Sequence, residues 1–243
     1  MSKEAKINPS NLDSLKALFA NRNMPDDDLL ISLGLYLRSS ALIKILFINE
    51  LYQEIRNIPG SIMEFGCWRG QNLVVFENLR AIYEPFNQRP IVGFDTFTGH
   101  SELGNNDKPC ETLAPESYTL PDAYVDHLRS LLAWHQGNSI LKGAEPHDVI
   151  LGDVEDTLPS YLHGHPALRV ALAYLDMGLY EPTLIALREI KPFLASGSVI
   201  MLDEYANANY PGETKAFHEV FNAGEYSVKK SLFMPDRTIV RIR

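Results

Sequence analysis

The hydrophobic and polar positions change rhythm near residue 60. Before it, apolar residues recur without strand alternation. Asp26, Asp27 and Asp28 predict a helix start, with carboxylates at the positive end of the helix dipole. Residues 29–58 then read as helical, broken near Gly34 or Ser39-Ser40, and stop at Pro59-Gly60. Beyond that point, continuous apolar runs appear at 61–66, 91–97, 148–152, 168–175 and 198–202. Helical patterns at 71–82, 182–193 and 212–221 separate or follow them. Unbroken apolar runs alternating with helices predict a parallel sheet buried on both faces, hence a three-layer α/β domain. The last two runs, 226–233 and 238–242, are joined by a Met-Pro-Asp-Arg turn with no helix, so they pair antiparallel.

The expected architecture is a mostly parallel seven-stranded sheet with a C-terminal antiparallel hairpin. It is Rossmann-like, on the plan of class I S-adenosylmethionine (SAM) methyltransferases, and fold alone does not fix function. Residues 1–59 are expected to form a helical N-terminal region and residues 60–243 the domain proper. Residues 98–147 fit no single element. A segment of that length inside a compact domain is expected to be a functional lid. Within it, 124–134 reads as a helix, and Gly104-Asn-Asn-Asp-Lys-Pro109 as a mobile stretch.

Charge and composition narrow the function classes. Acidic residues number 31 against 22 basic ones, a formal charge of −9, which argues against a nucleic-acid partner. Lys229, Lys230, Arg237, Arg241 and Arg243 near the end of the chain read as a solvated face rather than a phosphate track. Two cysteines, Cys67 and Cys110, leave no disulfide framework. No apolar signal region follows the N-terminus. The most apolar run, 41–48, contains Lys44 and is far too short for a bilayer. These features predict a cytoplasmic protein with reduced thiols and no membrane partner.

Ligands of open parallel sheets sit beyond the carboxyl ends of the strands, so the chemistry is sought there. The first end reads Glu64-Phe-Gly-Cys-Trp-Arg-Gly70. Its glycines allow close backbone approach, and the helix that follows offers its N-terminus to an anionic group. An ordinary tight turn explains the segment equally well. Trp68 stands where a dinucleotide fingerprint needs its second glycine. The second end, Asp95-Thr-Phe97, offers a carboxylate suited to a ribose diol, or a turn residue. The third, Gly152-Asp153, places Asp153 to receive an adenine amino group and to cap the next helix. Glu64, Gly66, Cys67, Trp68, Gly70, Asp95, Thr96, Phe97, Gly152 and Asp153 are therefore the cofactor-binding candidates.

The fourth and fifth ends carry Asp176, Asp203 and Glu204. Three converging carboxylates repel unless a cation sits among them, and oxygen ligands alone suit Mg²⁺, Mn²⁺ or Ca²⁺. If the side chains diverge, one of them caps a helix instead. His163 and His165 read as loop residues. His100, just after the second strand, can touch substrate or cofactor. Glu213 and Lys215 read as surface charges of a helix start.

The ordered set of strand-end motifs resembles the macrocin O-methyltransferase family. The set comprises Glu64-Phe-Gly-Cys-Trp-Arg-Gly70, Phe94-Asp-Thr-Phe97, Gly152-Asp153 with Thr157-Leu-Pro159, and Asp176 with Leu179-Tyr-Glu181 and Thr183. Asp203-Glu-Tyr205 with Pro211-Gly212 completes it. It spans about residues 61–222. The resemblance implies a Mg²⁺-dependent, SAM-using enzyme that methylates hydroxyls of sugars or sugar-bearing natural products, as a homo-oligomer, dimer or larger. It implies that Glu64 and Gly66 hold the methionine part of SAM, Asp95 the ribose, and Asp153 the adenine. It further implies that Asp176, Asp203 and Glu204 bind the metal and that Asp176 is the catalytic base. The chain departs from the family's D-G-D-x-Y pattern, because Met177 and Gly178 follow Asp176. It also carries Asp203-Glu204 where the family pairs two aspartates. Two rivals stay open from the residues: a nicotinamide-dependent dehydrogenase, disfavoured by Trp68, and a non-catalytic subunit with a SAM-binding fold.

Overall fold

The computed structural model describes residues 12–86, 89–100, 102–114, 117–140 and 147–243. Contacts divide it into a first unit ending at Lys44 and a second, Ile45–Arg243. The first is helical: α1 (Leu12–Ala20), α2 (Asp26–Ile31), a 3-10 turn at Leu33–Tyr36, and the start of α3 (Ser39–Ile55). The helical run breaks around Gly34, which lies in the 3-10 turn, and again just before Ser39, where α3 begins. Phe19 meets Tyr36 edge to face at 5.1 Å inside this unit.

The second unit holds the sheet, in the order β3-β2-β1-β4-β5-β7-β6. The strands are β1 (Ser61–Phe65), β2 (Ile91–Asp95), β3 (His147–Leu151), β4 (Val170–Leu175), β5 (Leu194–Leu202), β6 (Tyr226–Lys230) and β7 (Thr238–Ile242). The first five run parallel, and β7 pairs antiparallel with both β5 and β6. The expected plan, hairpin included, is the one observed. The helices are α4 (Gln71–Tyr83), α5 (Tyr124–Gly137), α6 (Val154–Gly164), α7 (Tyr180–Ile190) and α8 (Pro211–Val220).

Side-chain alternation splits the core between the two faces of the sheet. Ile62, Ile91, Leu172, Tyr174 and Met201 pack with α3, α4 and α5. Met63, Phe94, Ala173, Leu175 and Ile200 pack with α6, α7 and α8. In α3, Phe47, Ile48, Leu51, Tyr52 and Ile55 form one fully buried stripe. Each such side chain contributes about 1.5–3 kcal/mol by leaving water. The parallel strand order reverses between β1 and β4, and the crevice of such a sheet opens at that reversal. Backbone bonds carry the pairing one step past the strands: Gly66 to Phe94, Asp176 to Phe65, and Asp203 to Leu175. The strand tips with their candidate residues thus stand in one row.

Parts of the expected lid lie outside the described residues, namely 101, 115–116 and 141–146. The described part carries a 3-10 turn at Glu111–Leu113 and then α5. No described helix is long and apolar enough to cross a membrane.

Candidate active site

The cofactor end is built from the turns after β1 and β2. At Gly66, φ is +84°, and a Cβ would meet the Asp176 carbonyl oxygen at 2.2 Å. The tips of β1 and β4 therefore approach too closely for any side chain there. Trp68 and Phe97 both adopt positive φ, of 45° and 57°. Such residues are held in place by their surroundings, and the holding group here is Asp95. One of its carboxylate oxygens accepts the Trp68 N–H at 2.6 Å, the other the Phe97 N–H at 2.7 Å. Asp95 thus locks the two turns together, and a carboxylate oxygen has further lone-pair capacity for a diol.

The other cofactor candidates fall around this lock. Glu64 is buried and accepts from the Asn72 amide at 2.7 Å. Cys67 is buried, and desolvation, reinforced by the charges of Glu64 and Asp95, pushes its thiol well above the ordinary range. That suits an inert packing residue. Trp68 is exposed and lies under the Arg69 guanidinium, 4.8 Å from the ring centre. Gly70 sits at the N-cap of α4, and the Thr96 hydroxyl closes its own turn onto the Gly99 carbonyl. Asp153 is the N-cap of α6, yet its side chain makes no capping hydrogen bond. The capping half of its expected role is not seen.

The second group of candidate residues lies at the tips of β4 and β5. Burial, then the charges of Asp176 and Asp203, push the buried Tyr174 hydroxyl well above its usual range, and burial, then the charge of Asp176, raise Tyr118. Tyr118 packs against the turns after β1 and β2, its ring edge-on to Trp68 and to His100, each at 5.4 Å between ring centres. His100 is half-buried, and its Nε2 has no hydrogen-bond partner. Burial pushes its pKa down, against a backbone bond to Thr112 and the charge of Asp95.

Three groups at this end escape sequence reasoning. Glu213, expected at the surface, is fully buried. Its carboxylate accepts the N–H of Gly178 at 3.0 Å and of Glu204 at 2.9 Å, clamping the loops after β4 and β5. Desolvation, with help from Asp176 and Asp203, raises its pKa to about 8. Asp107, in the stretch expected to be mobile, accepts the Tyr180 N–H at 2.7 Å and the Gly104 N–H at 2.9 Å. It therefore caps α7 from the segment between β2 and β3. Arg237, read as part of a solvated face, forms an ion pair with Asp203, Nε to Oδ1 at 2.8 Å. The proline-glycine turn before Glu213 was the one available signal, since it marks a helix whose first turn faces the strand tips.

The expected metal ligands do not gather around one point. Asp203 is engaged by Arg237, and Glu204 accepts from the Asn207 amide at 2.5 Å. Gly178, where the family pattern has a second acid, is in the left-handed region at φ +68° with its N–H on Glu213. Among the described residues, no group of three or more His, Cys, Asp or Glu side chains is arranged to hold a metal ion. As arranged, the donor set does not fit a divalent cation.

No family model matches the chain. Its structure superimposes on the calicheamicin methyltransferase CalS11 with a TM-score of 0.90 and 34% identity, over 94% of this chain and 90% of that one. An apo structure of CalS11, a TDP-rhamnose 3'-O-methyltransferase, matches with a TM-score of 0.82, 33% identity and coverage of 94% and 91%. The chain belongs to the macrocin O-methyltransferase-like family of natural-product sugar O-methyltransferases. Two curated members agree. A tetracenomycin-rhamnose 4'-O-methyltransferase of Streptomyces olivaceus is 29% identical over 61% of this chain and 54% of its own length. Mycinamicin III 3''-O-methyltransferase of Micromonospora griseorubida is 27% identical over 67% and 60%. The chain thus spans a little over half the length of these curated relatives. The family disfavours the nicotinamide reading.

Proposed function

We propose that this chain transfers the methyl group of SAM to a hydroxyl of a sugar, free as a nucleotide sugar or already attached to a natural product. The observation that carries the reading is the near full-length likeness to CalS11; the acids Glu64 in β1, Asp95 ending β2 and Asp176 just after β4 are consistent with it. SAM would lie over the β1 and β2 turns. Glu64, Gly66, Cys67, Trp68 and Gly70 would hold its methionine part, Asp95, Thr96 and Phe97 its ribose, and Gly152 with Asp153 its adenine. The acceptor would lie over β4 and β5, beside Tyr118 and Asp176.

A sugar hydroxyl is a poor nucleophile at neutral pH, so the reaction needs a proton acceptor and in-line geometry. Asp176 is the proposed base. The Mg²⁺ expected from the resemblance takes no part in these steps, because Asp203 and Glu204, two of its three proposed ligands, are engaged by Arg237 and Asn207. We also propose a cytoplasmic homo-oligomer. Exposed Leu30, Ile31, Leu33 and Leu35 offer apolar surface for self-association, and sedimentation showing a monomer at micromolar concentration would remove that part.

The test is turnover. Methyl-labelled SAM incubated with TDP-rhamnose and with rhamnosylated acceptors should give a labelled methyl ether and S-adenosylhomocysteine. Absence of SAM binding by calorimetry would overturn the reading. Binding without transfer to any acceptor would leave the non-catalytic subunit in its place.

A further inference from the structure

The acceptor end has a positive charge built into the fold. Strand β7 pairs with β5 so that Thr238 faces Leu202 and Ile239 faces Met201. One step further along the same antiparallel register puts Arg237 opposite Asp203. The residue before β7 thus reaches the acid at the tip of β5 by backbone geometry. The turn is closed behind it: Ser231 N–H donates to the Arg237 carbonyl at 3.1 Å, and Arg237 N–H to the Met234 carbonyl at 2.8 Å. The side chains of Arg237 and Asp203 are 19% and 10% exposed, so the pair lies mostly out of water.

We propose that the Arg237 guanidinium takes the place of a divalent cation beside Asp203, so that methyl transfer in this chain runs without a bound metal. The inference rests on the methyltransferase reading above. Carboxylates at adjacent strand tips need a positive counterpart, and a guanidinium supplies one that cannot be deprotonated. An incoming ion would have to displace Arg237 from Asp203, draw Glu204 from Asn207, and do without an acid at position 178. Arg237 is a positioning residue: it neutralises Asp203 and cannot chelate the acceptor's oxygens as a metal does. The work of activation then falls on Asp176. The acceptor O–H gives its proton to the Asp176 carboxylate as the oxygen forms a bond to the methyl carbon. The C–S bond breaks with its electron pair on sulfur, leaving the methyl ether and neutral S-adenosylhomocysteine. Asp176 then returns the proton to water.

The experiment uses the full chain, stripped with EDTA and desalted, with metal content read by plasma mass spectrometry. Transfer to TDP-rhamnose should change by less than about twofold between EDTA and added Mg²⁺. Electron paramagnetic resonance with Mn²⁺ as probe should show no stoichiometric binding to the wild type. Arg237→Met should create Mn²⁺ binding and make transfer depend on divalent metal, by on the order of tenfold or more, with SAM affinity unchanged. Arg237→Lys, which keeps the charge and is the variant to use if Arg237→Met fails to fold, should stay metal-independent. Loss of wild-type transfer in EDTA with recovery in Mg²⁺, or stoichiometric Mn²⁺ binding to the wild type, would overturn the proposal. If TDP-rhamnose is not methylated under any condition, the acceptor reading has failed, and the Mn²⁺ measurement alone decides the role of Arg237.

Discussion

The two ends of the cleft are organised by opposite means. At the cofactor end, the turns after β1 and β2 are locked by a carboxylate from the second of those strands, Asp95, bonded to the backbone of Trp68 and Phe97. At the tips of β4 and β5, the proposed acceptor end, three anchors each make one contact to a residue far along the chain. Glu213 lies 35 residues beyond its partner Gly178, Asp107 reaches 73 residues forward to Tyr180, and Arg237 folds back from the hairpin onto Asp203. If the proposed function holds, the SAM end is fixed by one carboxylate joining two neighbouring turns and the acceptor end by several separate tethers, so the two ends should respond separately to mutation.

The largest expected effect tests the division directly. Asp176→Asn keeps the shape at the tip of β4 and removes the basicity. Transfer should fall on the order of 10²-fold or more, while calorimetry shows SAM affinity unchanged. Full activity of this variant would move the base to His100, whose Nε2 has no hydrogen-bond partner.

Glu213 follows. Glu213→Ala leaves two backbone N–H groups and a small cavity buried between the strand tips, and should cost about 2–3 kcal/mol in denaturant unfolding. Glu213→Gln retains one acceptor and should recover part of that loss. In both, kcat should fall with SAM affinity held. A parallel drop in SAM affinity would show that the two ends are not separable.

Asp95→Ala probes the other end. It removes the ribose contact and also the lock on two positive-φ residues, so SAM binding should weaken by about 2 kcal/mol. Unchanged affinity would refute the placement of the nucleoside over β2.

The same contrast explains what was legible in the sequence. The sheet, the hairpin and the row of strand-end acids follow from apolar runs and the residues that end them, since backbone pairing forces those ends into line. Asp95 was readable as a candidate because it ends its strand, and its bond to Phe97 lies within its own turn, though its bond to Trp68 was not foreseen. Glu213, Asp107 and Arg237 were not. A glutamate in a helix's first turn, an aspartate in a glycine-asparagine stretch and an arginine in a hairpin turn look the same whether they face water or a strand tip. Their partners are set by register and helix docking, as with Arg237, whose position opposite Asp203 depends on how β7 aligns with β5. For the same reason the metal ligands were expected from the acids at the strand tips alone, without Arg237, which the hairpin brings beside Asp203.

The smallest predicted effect concerns the lid. Asp107 supplies α7 with the cap that Leu179, at its N-cap, cannot give. Neighbouring contacts reinforce the tether: the Lys215 ammonium donates to the Asn106 carbonyl at 3.1 Å, and the Lys108 ammonium to the Asn209 side chain at 3.2 Å. Those two bonds are exposed and contribute little individually. Asp107→Ala should therefore cost about 1 kcal/mol of stability, the usual loss for a helix cap. Its sharper consequence is dynamic. Hydrogen exchange across residues 102–114 should speed up in the variant, while exchange in β1 and β2 stays as in the wild type. Adding SAM with TDP-rhamnose should slow exchange in the wild-type segment, since closure over the cleft excludes water from the sulfonium. With the tether cut, the acceptor KM should rise while the SAM dissociation constant stays fixed. A variant whose lid exchange and acceptor KM both match the wild type would show that Asp107 merely caps α7 and that the lid is held elsewhere.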